Sequence, residues 1–243
     1  MRAAIATTTF SKTIDLRSRL AIRTAQEAQQ YGYPIAVVDG GSAGEFREKL
    51  LACGVLLFDQ ATKGMGSSRR QAMSEAAKIA GDNGVVIWME PEKHTFVSEL
   101  HKVVEPIQSD EVDIVVPARK SLSSYPPEQE HAERIGNLAF KYLFGRELDP
   151  WFGPRAMNQK ALGHFLAYQG EYGDKWDSIF IPVLRAMKDG LRVKSVEVDY
   201  VHPHEQTAEE TGKIDFLLKW VEQLLNLIPA LQHEAEKLGI AAA

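Results

Sequence analysis

Short apolar runs alternate with helix-forming segments over residues 1–118, and this alternation constrains the fold more than any other feature of the sequence. The runs are Ala3–Thr8, Pro34–Val38, Val55–Phe58, Val85–Met89 and Val112–Val116. The segments between them, which carry apolar residues at helical spacing, are Asp15–Tyr31, Gly44–Ala52, Ser67–Ala80 and Thr95–Ile107. Repetition of strand, helix and strand predicts an α/β fold with a mostly parallel sheet flanked by helices.

The pattern becomes irregular after Pro117. The sequence predicts three helices here: one with Ile135, Leu138, Ala139 and Tyr142 on one face, one around Lys160–Tyr168 and one around Asp177–Lys188. A last strand is predicted at Val193–Val201. A C-terminal helical segment carries an apolar stripe from Ile214 to Ile228, which Pro229 is expected to interrupt. This stripe either packs on the protein's own sheet or pairs with a second copy in a homodimer. We predict a single domain over residues 1–243, made of three consecutive parts: residues 1–118, residues 119–205 and the C-terminal helical segment 206–243.

Composition excludes several classes of protein. The net charge of -5 argues against an extended nucleic-acid-binding face, and the single Cys53 excludes an intramolecular disulfide and a cysteine-based zinc cluster. No run approaches the roughly 18 apolar residues of a membrane span, and the first residues lack the apolar core of a signal peptide. We therefore expect a cytoplasmic protein with no membrane span.

Polar residues follow each apolar run, at the edge where parallel sheets bind ligands. They are Thr7–Thr9, Asp39–Ser42, Asp59–Gln60, Glu90–Lys93 and Ala118–Lys120. Glu90 and Glu92 stand one residue apart after a strongly apolar run, and their oxygens suit Mg²⁺ or Mn²⁺ bound to a diphosphate. Each motif also has a plainer interpretation, because strand ends lead into turns that favour Asp, Gly and Ser.

Three further motifs carry polar or charged side chains. The segment from Lys63 through Arg70 combines glycines, a predicted helix start and cations, which attract phosphate. His202 and His204 follow the last predicted strand and are candidate metal ligands, or the polar exit of that strand. Asp177 opens a predicted helix, where it is either a cap or a catalytic carboxylate.

Taken in order, these motifs resemble a nucleotide-sugar-dependent glycosyltransferase of the GT-A fold, in the family-2-like group that includes dolichyl-phosphate-mannose synthases and mannosylglycerate synthase-like enzymes. Val37–Ser42 matches the family's Val-Asp-X-Gly-Ser strand end, and Lys63–Ala72 matches its basic loop entering an Ala-rich helix. Glu90-Pro91-Glu92 occupies the Asp-X-Asp position, and Asp149–Arg155 is similar to a later Asp-X-X-X-Gly-X-Arg segment. The resemblance covers about residues 3–205.

The resemblance implies a GT-A-like, Rossmann-like fold and a set of roles. Parts 1–118 and 119–205 would be the nucleotide-binding and acceptor halves. The residues that would contact the nucleotide are Thr7, Thr8, Asp39, Lys63 and Arg70, and those that would bind Mg²⁺ or Mn²⁺ are Glu90, Glu92, His202 and His204. The sugar or acceptor would lie against Gly153, Arg155 and Trp176. Asp177 would be the acceptor-side base. The partners would be an NDP-sugar, with GDP-mannose as the first candidate, and a small soluble hydroxylated acceptor.

Two alternatives stay open. A sugar-phosphate nucleotidyltransferase resembles this architecture, but Thr7–Lys12 after the first strand contains no glycine. Because glutamate replaces aspartate at both ends of the metal motif, a catalytically inactive GT-A-fold binding or scaffold protein is the second alternative.

Overall fold

The computed structural model describes residues 2–240. Within them one sheet contains seven strands: β1 (Ala3–Thr9), β2 (Ile35–Asp39), β3 (Leu56–Asp59), β4 (Val85–Trp88), β5 (Ile114–Arg119), β6 (Arg155–Met157) and β7 (Val193–Val198). Their order across the sheet is β3-β2-β1-β4-β6-β5-β7, and β6 is antiparallel to both of its neighbours. The predicted mostly parallel α/β sheet is therefore confirmed.

Helices cover both faces of this sheet. They are α1 (Leu16–Gln30), α2 (Gly44–Ala52), α3 (Met65–Ala80), α4 (Leu100–Gln108), α5 (Pro127–Phe144), α6 (Gln159–Ala167), α7 (Ile181–Lys188), α8 (His204–Glu210) and α9 (Ile214–Lys237). Two apolar cores result, one on each face. Ala21, Phe46 and Val103 belong to the core beneath α1, α2 and α4, and Phe140 and Leu231 belong to the opposite core.

Strand pairing determines which loops meet. Thr9 pairs with Asp39 and Asp39 with Asp59, so β1, β2 and β3 end side by side. On the other side of β1, β4 pairs with the antiparallel β6, with Trp88 opposite Arg155. Because β6 runs in the opposite direction, the residues before Arg155 lie beside those after Trp88. This reversal brings Gly153 next to Glu90.

Several local predictions are wrong. The last strand ends at Val198 rather than Val201, and β6 and α8 were not predicted. Trp176–Ile179 forms a 3₁₀ turn, so α7 begins only at Ile181. Pro229 lies inside α9, which continues through it because Leu227 and Leu231 are buried on either side.

The apolar face predicted for the helix after Pro126 points outward. Ile135, Leu138 and Tyr142 are each about half exposed, whereas Gly136 and Phe140 of the same helix are buried. Gly136 is required there, because a Cβ atom would lie 2.5 Å from Cε2 of Trp151. The helix therefore packs through a second, less obvious stripe.

In the part of the chain that the structure describes, no helix has both the length and the apolar character needed to cross a bilayer.

Candidate active site

A cleft opens where β1, β2 and β3 end, with a volume of about 570 Å³. Its walls include Phe10, Lys12, Gln60 and Lys63. The Lys12 ammonium lies 5.1 Å from the centre of the Phe10 ring, so one exposed aromatic face and two cations share the cleft. A flat ring, an amide and lysines are groups suited to a nucleobase and a phosphate.

Asp39 lies beneath this cleft and is 1% exposed. Its carboxylate accepts hydrogen bonds from the Thr9 hydroxyl at 2.9 Å, the Ser42 backbone at 2.9 Å and Arg47 at 2.8 Å. Burial opposes its ionisation, but these donors, with Ser42 foremost, hold the pKa of Asp39 below its usual value. Through these hydrogen bonds the Asp39 carboxylate holds the loops around the cleft in place. Its direct contact with a nucleoside stays a prediction.

Only some of the other residues predicted to bind the nucleotide line the cleft. Thr8 and Lys63 line the cleft, but Thr7 is buried and lies on a different face of β1. Arg70 makes a bidentate pair with Asp174, at 2.6 and 2.8 Å, and lines neither the cleft nor the neighbouring cavity. The structure therefore gives Arg70 the task of fixing the loop before Trp176.

A second cavity of about 350 Å³ lies between β4 and the C-terminal helices. A passage lined by Phe10, Arg17, Met65 and Glu92 connects it to the cleft. Aromatic side chains form much of its wall: Trp151, Phe152, Trp176, Phe180, Phe216 and Trp220. A ligand seated in the cleft could therefore extend one end into an aromatic chamber.

Glu92 lines both the passage and the cavity, and Glu90 lies in the cavity wall. Gly153 faces Glu90 so closely that a Cβ atom would lie 2.0 Å from Glu90 Oε1, and its φ of +100° also favours glycine. Glu90 Oε2 is buried without a hydrogen bond, and Glu92 Oε1 lies 3.4 Å from Arg17. The predicted acidic motif and the predicted Gly153 thus meet in one place.

These two carboxylates fit a divalent cation in the manner of Mg²⁺ sites, which use one or two carboxylates together with substrate phosphates. The observation in favour is that Glu90 Oε2 is buried and makes no hydrogen bond, the Lys93 ammonium being 3.9 Å away. Over residues 2–240, however, no three His, Cys, Asp or Glu side chains converge as a metal site. An all-protein cage is therefore absent from this range, and phosphate oxygens would have to complete the shell.

Over the described residues, the histidines predicted to complete that shell are not grouped with the two carboxylates as a metal site. His204 is exposed at the start of α8 and lies outside the cavity. His202 lines the cavity, but its Nε2 lies 3.8 Å from Glu210 and its ring stacks on Tyr125 at 4.3 Å. Burial lowers the pKa of His202.

Trp176 lines the cavity as predicted for a sugar or acceptor residue, whereas Arg155 does not. Arg155 is fully buried and donates hydrogen bonds to the carbonyls of Pro154 and Pro150, both at 2.7 Å. It therefore holds the turn that carries Trp151 and Gly153.

Asp177 lies behind the cavity wall and is 2% exposed. Its carboxylate accepts hydrogen bonds from the Tyr168 hydroxyl at 2.5 Å and from the Lys175 backbone at 2.7 Å. The same carboxylate raises the pKa of Tyr168, after burial as the main cause. A catalytic role for Asp177 stays a prediction, while its contacts are those of a group that positions Trp176.

Sequence reasoning missed the cavity wall formed by the C-terminal helices. The missed residues include Gln206, Glu210, Phe216, Lys219, Trp220 and Gln223. The available signal was a second stripe on α9, in which Phe216, Trp220 and Gln223 follow one another at helical spacing.

The fold was compared with known proteins. No model of a known protein family matches the sequence, and no curated protein sequence is significantly similar to it. Solved structures do match. Glucosyl-3-phosphoglycerate synthase from Mycobacterium tuberculosis, in complex with Mn²⁺ and UDP-glucose, superimposes with a TM-score of 0.65 at 13% identity, over 96% of this chain and 79% of that one.

The chain has the GT-A fold. The same synthase in complex with Mn²⁺, UDP and glucosyl-3-phosphoglycerate gives a TM-score of 0.64 at 13% identity, over 94% of this chain and 79% of that one. A structure described only as a mycobacterial protein gives 0.66 at 13% identity, over 93% and 73%. The fold expected from the ordered motifs is thereby confirmed.

Proposed function

We propose that this GT-A-fold protein is a glycosyltransferase that moves a hexose from a nucleoside diphosphate sugar to a small hydroxylated acceptor. One observation carries the proposal: a passage lined by Glu92 joins the cleft to the aromatic cavity, and Glu90 lies in the adjoining cavity wall. A donor with its nucleoside in the cleft would place its diphosphate at these carboxylates and its sugar beside Gly153 and Trp176. The structural neighbours with UDP-glucose support the same class of donor.

UDP-glucose is the donor we propose first. The neighbouring structures of glucosyl-3-phosphoglycerate synthase contain UDP or UDP-glucose. GDP-mannose therefore serves as the comparison donor in the experiment below.

In the proposed reaction the bond between the anomeric carbon and the diphosphate oxygen breaks, the acceptor hydroxyl oxygen bonds to that carbon, and the hydroxyl proton is released together with the nucleoside diphosphate. Glu90 and Glu92 would hold Mg²⁺ or Mn²⁺, which offsets negative charge on the departing diphosphate. Arg69, in the cavity wall, adds positive charge; burial lowers its pKa to about 10, so it stays protonated at neutral pH. The aromatic wall excludes water, which would otherwise compete with the acceptor as the nucleophile.

Replacement of Glu92 by glutamine tests the metal site. We expect wild-type protein to bind UDP at least tenfold more tightly with Mn²⁺ than without it, and E92Q to lose most of this gain because one anionic ligand is removed. Isothermal titration with UDP, with and without Mn²⁺, measures both. Glu111→Gln, on the exposed chain before β5, is the matched control and should behave as wild type. Equal UDP affinity for wild type with and without Mn²⁺ would contradict the assignment.

Product analysis distinguishes the alternatives. With UDP-glucose or GDP-mannose in turn, a transferase releases the nucleoside diphosphate, whereas a sugar-phosphate nucleotidyltransferase acting on a sugar phosphate and a nucleoside triphosphate releases pyrophosphate. A binding or scaffold protein would bind UDP without turning over either donor. Release of free UDP in proportion to glycosylated acceptor is the result we expect.

We also propose that the protein forms a homodimer through the outer faces of α5 and α9. This α5–α9 apolar surface consists of Ile135, Leu138, Tyr142, Ile214, Leu217, Leu218, Val221 and Leu225, each 38–70% exposed. A standard interface buries roughly 800 Å² per partner, and these eight exposed apolar side chains lie on two helices that pack against each other. Most of the predicted stripe on α9 therefore faces away from the sheet, which favours a second copy of the chain as its partner, while Leu224 and Ile228 pack against the core.

Charge placed on this surface should separate the subunits. We expect wild type to sediment at twice the chain mass of 27.1 kDa at micromolar concentration, and Leu218→Lys/Leu225→Lys to sediment as a monomer. Leu51→Lys, at a similarly exposed leucine on α2, is the control that should stay dimeric. A monomeric mass for the wild type would rule out this homodimer.

A further inference from the structure

Lys93 is a cavity residue to which the proposed reaction assigns no role. It is 8% exposed, and its ammonium lies 4.8 Å from the centre of the Phe152 ring and 5.2 Å from that of Tyr200. Within residues 2–240 its ammonium makes no hydrogen bond, and its ion pair is the long 3.9 Å contact with Glu90. Burying such a cation without a close partner costs free energy, so the arrangement calls for an anion.

Lys219, on α9, is a second cation in the same cavity. Its ammonium lies 5.5 Å from the centre of the Phe216 ring and 5.4 Å from that of Trp220. It makes neither a hydrogen bond nor an ion pair with any residue that the structure describes. Burial is the main cause of the lowered pKa of Lys219; the charge of Arg17 adds to this effect, and the carboxylates of Glu210 and Glu92 oppose it.

The remaining cations of the cavity already have partners. Arg17 bridges Glu210 at 2.5 Å and Glu92 at 3.4 Å. Arg69 donates to the Lys175 carbonyl at 2.6 Å and to the Ser178 hydroxyl at 2.9 Å. A divalent cation bound at Glu90 would also remove the long partner of Lys93. Among the lysines and arginines that line the cavity within residues 2–240, Lys93 and Lys219 therefore lack a close hydrogen-bonded partner.

We propose that Lys93 and Lys219 form an anion subsite, which selects acceptors carrying a carboxylate or phosphate beside the hydroxyl group that is glycosylated. The role of this subsite in acceptor selection rests on the proposed function, but anion binding at the subsite can be measured without turnover. An uncharged polyol would leave both ammonium groups unpaired, whereas an acidic acceptor would supply each with a charge-assisted hydrogen bond.

The test uses three probes with the same carbon backbone. Glycerol is uncharged, glycerate adds a carboxylate, and glycerol 3-phosphate adds a phosphate. Isothermal titration of UDP- and Mn²⁺-loaded protein should give at least tenfold tighter binding for one acidic probe than for glycerol, and whichever binds tighter identifies the anion. Lys93→Met and Lys219→Met should each weaken that probe at least tenfold, and Lys93→Arg should retain part of the affinity.

Two measurements separate the subsite from other effects. UDP affinity should change less than threefold in Lys93→Met and Lys219→Met, and Lys194→Met, an exposed lysine of β7, should match wild type in every titration. Equal binding of all three probes, or acidic-probe binding that both variants retain, would overturn the inference while leaving the proposed function intact. If UDP itself does not bind, the proposed function fails, and the same titrations on unloaded protein still decide whether the subsite exists.

Discussion

Gly153→Ala is expected to lower the rate of sugar transfer from UDP-glucose at least about a hundredfold, because a misplacement of about 1 Å in a reacting site has effects of that size. The added Cβ atom would lie 2.0 Å from Glu90 Oε1 and 2.7 Å from Glu90 Cδ, so the carboxylate must move. The φ of +100° adds backbone strain of about 1–3 kcal/mol. The nucleoside cleft lies elsewhere and should keep its shape.

The readout is initial-rate UDP release, with UDP affinity in the absence of metal as the parallel measurement. Gly163→Ala is the matched control, because it lies in α6 with no atom within 4 Å of the added methyl group. That variant should keep full activity and gain about 0.5–1 kcal/mol of stability from the helix propensity of alanine. Full activity in Gly153→Ala would show that Glu90 takes no part in the reaction.

The fold of residues 1–118 was predictable because its signals are local. Buried parallel strands have continuous apolar runs, and the residues that follow them, such as Thr8, Lys63, Glu90 and Glu92, lie at the predicted edge. The clear exception is Arg70, which is paired with Asp174. No property of Arg70 itself shows that a carboxylate 104 positions later will reach it.

The fold of residues 119–237 was less predictable because α5 and α9 each carry two apolar stripes. Periodicity identifies a stripe but not the layer against which it packs. On α9 the stripe through Leu218 and Leu225 is exposed, while Trp220 and Leu231 are buried. Which stripe is buried depends on residues that are distant in the sequence, so the cavity wall around Lys219 could not be inferred from the sequence.

Burial also changes the roles of charged residues in ways that a motif does not show. Arg155 fits the family pattern by position, yet it is fully buried against two carbonyls. Asp177 likewise fits, but its carboxylate caps a turn behind the cavity. A single short strand, β6, decides both the burial of Arg155 and the placement of Gly153, and three residues are too few to produce a periodic signal.

Arg119→Met is expected to lower the free energy of unfolding by about 3–5 kcal/mol, because it leaves buried carboxylates without their counter-ion. The Arg119 side chain is fully buried and donates to Asp149 twice at 2.7 Å, while its other amino group contacts Glu133. Tyr125 and Phe152 each lie with their ring centre 4.9 Å from the guanidinium. Methionine restores part of this packing but none of the charge. Urea titration at pH 7 measures the loss.

The pH dependence separates lost charge from lost packing. Burial already raises the pKa of Glu133 in the wild type, and removal of Arg119 should raise it further in the folded state. A folded-state pKa above the unfolded value gives stability that is present at low pH and lost as pH rises through it. The deficit of Arg119→Met should therefore be larger at pH 8 than at pH 5.

Arg134→Met, which breaks an exposed pair with Glu130 on the same helix as Glu133, should cost less than about 0.5 kcal/mol at either pH. A deficit of equal size at both pH values would assign the loss to packing alone.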